Sequence, residues 1–211
     1  MSDQDHASPA HPLERLIFFS DAVFAIAITL LIIEVTPPHL PRDATDRDQL
    51  ITLMNLSPSF VSFFISFFVI AAFWAGHHRA FSLSRHWSPT LVRPNVLMLA
   101  AVVFMPFATA YMALNMGQRV PTVLYDLVLL TTGLLNIRLV RLATSAPVVD
   151  ESVDALTIAR TRGRGWGVTA GAGLALILAF FVPRWSQFAL MTIPLWLRLA
   201  VHRAERAAQQ G

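Results

Sequence analysis

The sequence predicts an all-α membrane protein with six transmembrane helices, and three observations carry that reading. Of the 211 residues, 55% are hydrophobic and only 14% charged, with mean hydropathy +0.56, whereas a soluble domain carries roughly 25% charged residues. Several apolar runs reach the length of about 20 residues that a bilayer crossing needs. The basic residues are all arginine and fall between those runs rather than along one face. That placement turns a formal charge of +3 and a pI near 10.5 into a topology signal and away from nucleic-acid binding. Cysteine is absent, which excludes disulfides and thiolate metal sites. The reading implies no cofactor.

The chain divides into a disordered cytoplasmic tail over residues 1–12, a transmembrane domain over 13–203 and a cytoplasmic C-terminal tail over 204–211. The first segment is polar, with Asp3, Asp5, His6 and His11. It lacks the basic and apolar regions of a cleavable signal peptide. The first helix is expected over about 13–35 and ends before Pro37 and Pro38, which cannot continue it. An acidic loop with one helical turn near Asp48–Leu53 leads to a second helix over about 57–79. That helix is rich in Phe and carries Ser59, Ser62 and Ser66 as a small-residue face suited to close helix packing. The third helix, about 94–114, holds Pro106 at mid-span. A kink is expected there, of a kind membrane helices tolerate when neighbours satisfy the freed carbonyl. Further helices are expected over about 122–142, 165–182 and 187–201, the last running into a basic amphipathic end. Asp126 and Arg138 in the fourth read as interfacial anchors.

Six spans put both termini on one side of the membrane. Twelve arginines then share that side and four lie opposite. The positive-inside rule makes the twelve-arginine side cytoplasmic.

The first helix, RLIFFSDAVFAIAITLLIIEV, is the informative stretch. Asp21 stands at its mouth, before an uncharged run that closes at Glu34. Two readings of Asp21 are open: a hydrated headgroup residue, or a functional intramembrane carboxylate. Ile26, Leu30 and Ile33 share one helical face with Thr29 beside them. Such a stripe suits lipid or packing contact at least as well as a pore, while Ala22, Ala25 and Ala27 allow close approach of another helix. Polar groups also recur at similar depth. Arg15, Ser20 and Asp21 begin the first helix, Trp74 and His77 end the second, and Asn95 begins the third. They predict a hydrogen-bonded knot in which His77, Asn95 and the Trp74 indole donate to Asp21.

The run Arg15, Phe19, Ser20, Asp21 (R-x-x-x-F-S-D) followed by AVFAIAITLLIIEV resembles the signature of the transmembrane protein 175 family, the endosomal and lysosomal potassium channels and their bacterial relatives. Trp74, His77, Phe81, Asn95 and Pro106-Phe107 extend the match. Ala22 departs from it, standing where relatives often have Gly. One such motif implies the single-repeat bacterial form, hence a bacterial inner membrane. The resemblance implies a homotetramer that conducts K⁺ along a pore lined by the first helix of each subunit. Its constrictions would be aliphatic rings at Ile26, Leu30 and Ile33, with Thr29 influencing selectivity and Glu34 near the mouth. Glu34 also reads as a solvated interfacial carboxylate.

Competing classes are a weakly selective cation or proton leak, a secondary transporter and an enzyme. His77 and His78 are adjacent and point about 100° apart on a helix, without HExxH-type spacing, so a catalytic metal site is not expected. Transporters usually show internal repeats and broken helices, and only Pro106 interrupts a span here.

Overall fold

A computed structural model describes residues 12–210. The tail expected over residues 1–12 lies outside the described residues but for Pro12, which opens the first helix. Seven α-helices follow among the described residues: α1 (Pro12–Ile33), α2 (Asp46–Asn55), α3 (Ser57–Ser82), α4 (Val92–Leu114), α5 (Arg119–Ala143), α6 (Ala155–Phe181) and α7 (Ile193–Gln210). Five of them (α1, α3, α4 with the 3-10 turn before it, α5 and α6) are long and apolar enough to cross a membrane.

Proline sets many of the boundaries. Pro58, Pro94, Pro121 and Pro194 all fall in the first turn of a helix, where a missing amide costs nothing. Pro106 lies inside α4, which stays helical on both sides of it. The short acidic helix α2 is opened by a capping box. The Thr45 hydroxyl accepts from the Asp48 amide while the Asp48 carboxylate accepts from the Thr45 amide. The Thr45 hydroxyl, donating to Asp48 Oδ2 at 2.6 Å, and then the Thr45 amide hold the Asp48 carboxyl below its ordinary pKa. The α4–α5 turn passes through Gly117 at φ +85°, the left-handed region that glycine enters without a Cβ clash.

Two stretches differ from the sequence reading. Residues 155–164, expected as polar linker, are the first turns of α6. Asp154 caps them by accepting from the Thr157 amide at 2.8 Å. Arg162 donates to Thr144 O, Thr144 Oγ1 and Ser145 Oγ, and Arg160 pairs with Glu205 at 2.6 Å. The arginines that look like loop are thus tied to α5 and α7.

The segment expected as a sixth span is a 3-10 stretch (Ser186–Thr192) followed by α7, which runs on through residue 210. It does not meet the apolarity of the other five because Arg198, His202, Arg203, Glu205 and Arg206 punctuate it. It nevertheless retraces α6 in antiparallel register. Gly171 faces Ile193, Gly167 faces Leu197, Gly163 faces Ala200 and Val201, and Arg160 meets Glu205. A Cβ on Gly167 would lie 2.9 Å from Leu197 Cβ and 3.0 Å from its Cα, so the two backbones approach as closely as glycine allows.

At one end of the bundle lie the start of α1, the end of α3, the start of α4 and the end of α5. The α3–α4 and α5–α6 connections cross there. Ser84 and Val149 form a β-bridge, and Arg85 pairs with Asp150 at 3.1 Å. The Ser152 amide and hydroxyl, with Arg85, hold the Asp150 carboxyl down at about 2.

Candidate functional site

Helix α1 has two unlike faces. Leu13, Ser20, Phe24, Ala27 and Leu31 are buried against α3 and α4 at heptad-like spacing. The opposite face holds Ala22, Ile26, Thr29, Leu30 and Ile33. Ile26 is 58% exposed, Leu30 37% and Ile33 69%. The stripe singled out by periodicity therefore points away from its own subunit. Thr29 is exposed with its hydroxyl donating to Ile26 O at 2.9 Å, which leaves the oxygen lone pairs outward. Glu34 is exposed just past the end of α1.

The polar residues at the other end of α1 do meet, with a different wiring from the expected one. The Ser20 hydroxyl donates to Leu16 O at 2.7 Å, a back-bond to the preceding turn. Having spent its one hydrogen, Ser20 accepts from Asn95 Nδ2 at 2.9 Å. That orientation leaves Asn95 Oδ1 to accept from His77 Nε2 at 3.0 Å, so Nε2 carries a proton. Ser20, His77 and Asn95 are all buried. The imidazole is edged by Phe24 at 5.6 Å and stacked on Phe81 at 4.4 Å, and its Nδ1 has no partner among the described residues.

Asp21 stands apart from this chain of bonds. Of the three proposed donors only Trp74 reaches it, the indole Nε1–H donating to Asp21 Oδ1 at 2.9 Å. The correction follows from helical geometry. Neighbouring residues diverge by about 100°, so Ser20 turns to α4 and Asp21 turns to α3. Arg15 and Phe19 lie on the exposed side, outside both sets of bonds.

Two further polar clusters were not legible in the sequence. The Thr109 hydroxyl lies 2.8 Å from both Met105 O and Ser66 Oγ, and Ser66 Oγ lies 3.0 Å from the Tyr125 hydroxyl. This chain of hydroxyls links α4, α3 and α5 beside Pro106. The serine face of α3 was the one available signal for it. Near the other end of the bundle, Gln187 Nε2 donates to Asp126 Oδ1 at 2.9 Å. Asp126 is fully buried and clasps the 3-10 stretch to α5, so it is not the surface anchor expected. Arg138 is exposed.

A face of aliphatic side chains with no partner in its own subunit, held in place by buried amide, imidazole and hydroxyl groups, suits self-association and lacks the groups of a reaction centre. The model of the endosomal/lysosomal potassium channel TMEM175 family matches residues 15–106. A potassium channel of Chamaesiphon minutus is 32% identical over 197 residues, covering 89% of this chain and 88% of that protein. A potassium channel of Streptomyces collinus is 33% identical over 172 residues, covering 79% and 82%. The crystal structure of a lysosomal potassium-selective channel TMEM175 homolog from Chamaesiphon minutus superposes with a TM-score of 0.71 at 30% identity, over 90% of this chain and 97% of that one. The chain belongs to the TMEM175 family, a family of channels and not of enzymes.

Proposed function

We propose that this TMEM175-family chain is one subunit of a homotetrameric potassium channel whose pore is lined by the outward face of α1. The observation that carries the reading is that face. Ile26, Leu30 and Ile33 are exposed along one side of a helix whose other side is fully packed. Bacterial relatives that this chain matches over most of its length are potassium channels.

Four copies of α1 around an axis would stack three aliphatic rings, at Ile26, Leu30 and Ile33. Such rings offer a cation no ligands and dewet when narrow. Conduction then requires the ring to widen, or an ion to pass with part of its water shell. Discrimination comes from the lower cost of dehydrating K⁺ relative to Na⁺, so selectivity is weaker than in a carbonyl-lined filter. Thr29, between the rings, supplies outward oxygen lone pairs. Glu34, at the end away from the termini, raises local cation concentration. The antiparallel return of 186–204 along α6 serves as the sixth crossing and brings both termini to the arginine-rich, cytoplasmic side of a bacterial inner membrane.

The test is K⁺ flux into liposomes containing purified protein. Ile26→Asn should raise leak at least several-fold and bring the K⁺/Na⁺ permeability ratio towards one. Unchanged ratios would place the filter elsewhere. Uptake that requires a counter-ion gradient would instead indicate a transporter. Because the chain has no cysteine, a single Ile33→Cys should form disulfide-linked dimers on oxidation if copies of α1 meet at an axis.

A further inference from the structure

On a different side of the bundle from the α1 stripe, a cavity of about 600 Å³ opens between α3 and the α6–α7 connection. Its walls come from α3, the α4–α5 turn, α6 and the 3-10 stretch, and no α1 residue lines it. One wall is a single stripe of α3, Ser57, Val61, Ile65, Phe68 and Ala72. These positions rise over about 22 Å at 1.5 Å per residue. The wall is therefore a long channel and not a compact pocket. The lining is almost wholly apolar apart from its mouth, where Arg184 stands exposed beside Trp185. The Arg184 side chain makes no hydrogen bond or ion pair among the described residues.

We propose that this groove holds a phospholipid, with one acyl chain lying along the α3 stripe and the phosphate on Arg184. The length matches a membrane acyl chain, and the volume lies within the roughly 300–1,000 Å³ of small-molecule sites. The polarity is ordered as a phospholipid requires, with the cation and the indole at the end of the bundle and the apolar floor towards its middle. Trp is a common membrane-interface residue, and a guanidinium matches phosphate oxygens bidentately. The proposal does not rest on the potassium reading, because it concerns a different face. The lipid belongs to the leaflet on the side of the α4–α5 turn. It would brace the 3-10 stretch, the least regular part of the sixth traverse, against α3.

The experiment is native mass spectrometry of the purified protein, delipidated in detergent and titrated with phosphatidylglycerol. Wild type should retain phosphatidylglycerol under conditions that strip bulk lipid. Arg184→Gln should weaken retention about ten-fold, and Ala72→Trp, which fills the floor of the groove, should abolish it. A bimane label on Phe68→Cys should be quenched by phosphatidylglycerol with brominated chains. Equal retention by wild type and both variants, or an unquenched label, would overturn the assignment. So would oxidative cross-linking of Met191→Cys between subunits, which would make the groove a seam between copies of this chain. Each variant is surface-facing, and a monodisperse elution profile establishes that it is folded.

Discussion

The two halves of the bundle are held together by different chemistry. Helices α1, α3 and α4 meet through directional side-chain bonds. Ser20, Asn95 and His77 form one chain of bonds, Asp21 and Trp74 a separate contact, and Thr109 and Ser66 tie α4 to α3 deeper in the bundle. Helices α6 and α7 share one ion pair, Arg160–Glu205, and otherwise meet through the absence of side chains. Gly163, Gly167 and Gly171 repeat at every fourth residue along α6 and let the backbone of α7 settle directly on it. The first half leaves a whole face of α1 exposed, whereas the second leaves little room between its partners. A bonded junction can fix a helix while using only part of its circumference, and a notched junction consumes the contact surface entirely. The half that leaves a face of α1 free is the half held by hydrogen bonds.

The sharpest way to break the contrast is to give the notched half a side chain. Gly167→Leu places atoms into the Leu197 backbone at about 3 Å. It should cost 3 kcal/mol or more, beyond the roughly 1–3 kcal/mol typical of overpacking, and be read as loss of monodisperse protein by size-exclusion chromatography. Gly173→Ala on the same helix, where a Cβ would meet only Leu130 Cδ1 at 4.0 Å, should be silent in that assay.

Next in size is the bonded half. Asn95→Leu strands the His77 Nε2–H, at about 1–3 kcal/mol for a buried group left unpaired, and removes the bond that the Ser20 hydroxyl accepts while leaving the one it donates to Leu16 O. It should lower the thermal midpoint by several degrees with the chain still folded. Asp21→Ala removes one half-exposed bond to Trp74 and should cost about 1 kcal/mol. If Asp21→Ala proves as damaging as Asn95→Leu, the carboxylate has a role beyond that bond.

The smallest effect belongs to the exposed clasp between the two connections. Asp150 titrates near 2 when folded, below the roughly 3.9 of an unfolded chain, so its contribution is present above about pH 4 and is lost as pH falls through 2. Asp150→Asn should shift the midpoint slightly at pH 7 and progressively less as pH falls from about 4 through 2. A constant difference across that range would assign the effect to shape and not to charge.

The same contrast governs what the sequence made legible. The four helices α1, α3, α4 and α5 were readable to within a few residues of one end or the other, because length and hydropathy define them. The polar anchors were readable because Ser, Asp, His and Asn are costly near apolar spans and therefore conspicuous. Their pairing was not, since spacing alone does not say which of two adjacent side chains turns to which neighbour. The start of α6 was misread as linker because Arg160 and Arg162 look solvated until Glu205, Thr144 and Ser145 are brought to them. The last helix was drawn too short, since its charged positions mask the continuity that the glycine repeat provides. That repeat is present in the letters at 163, 167 and 171, but the helix that settles on it is not. The Tyr125–Ser66–Thr109 chain and the Asp126–Gln187 clasp join residues far apart in sequence, whose types are unremarkable one at a time.

Ser20 and Asp21, adjacent in the chain, are fastened to two different neighbours, one to Asn95 and the other to Trp74. Twisting α1 about its long axis by even one position, about 100°, would unseat both fastenings together. The azimuth of the helix is therefore pinned at that end, like a door hung on two hinges set at different angles. Widening any opening that α1 borders is left to a tilt that carries the packed Ala27 and Leu31 with it, or to the swing of the isoleucine and leucine side chains themselves.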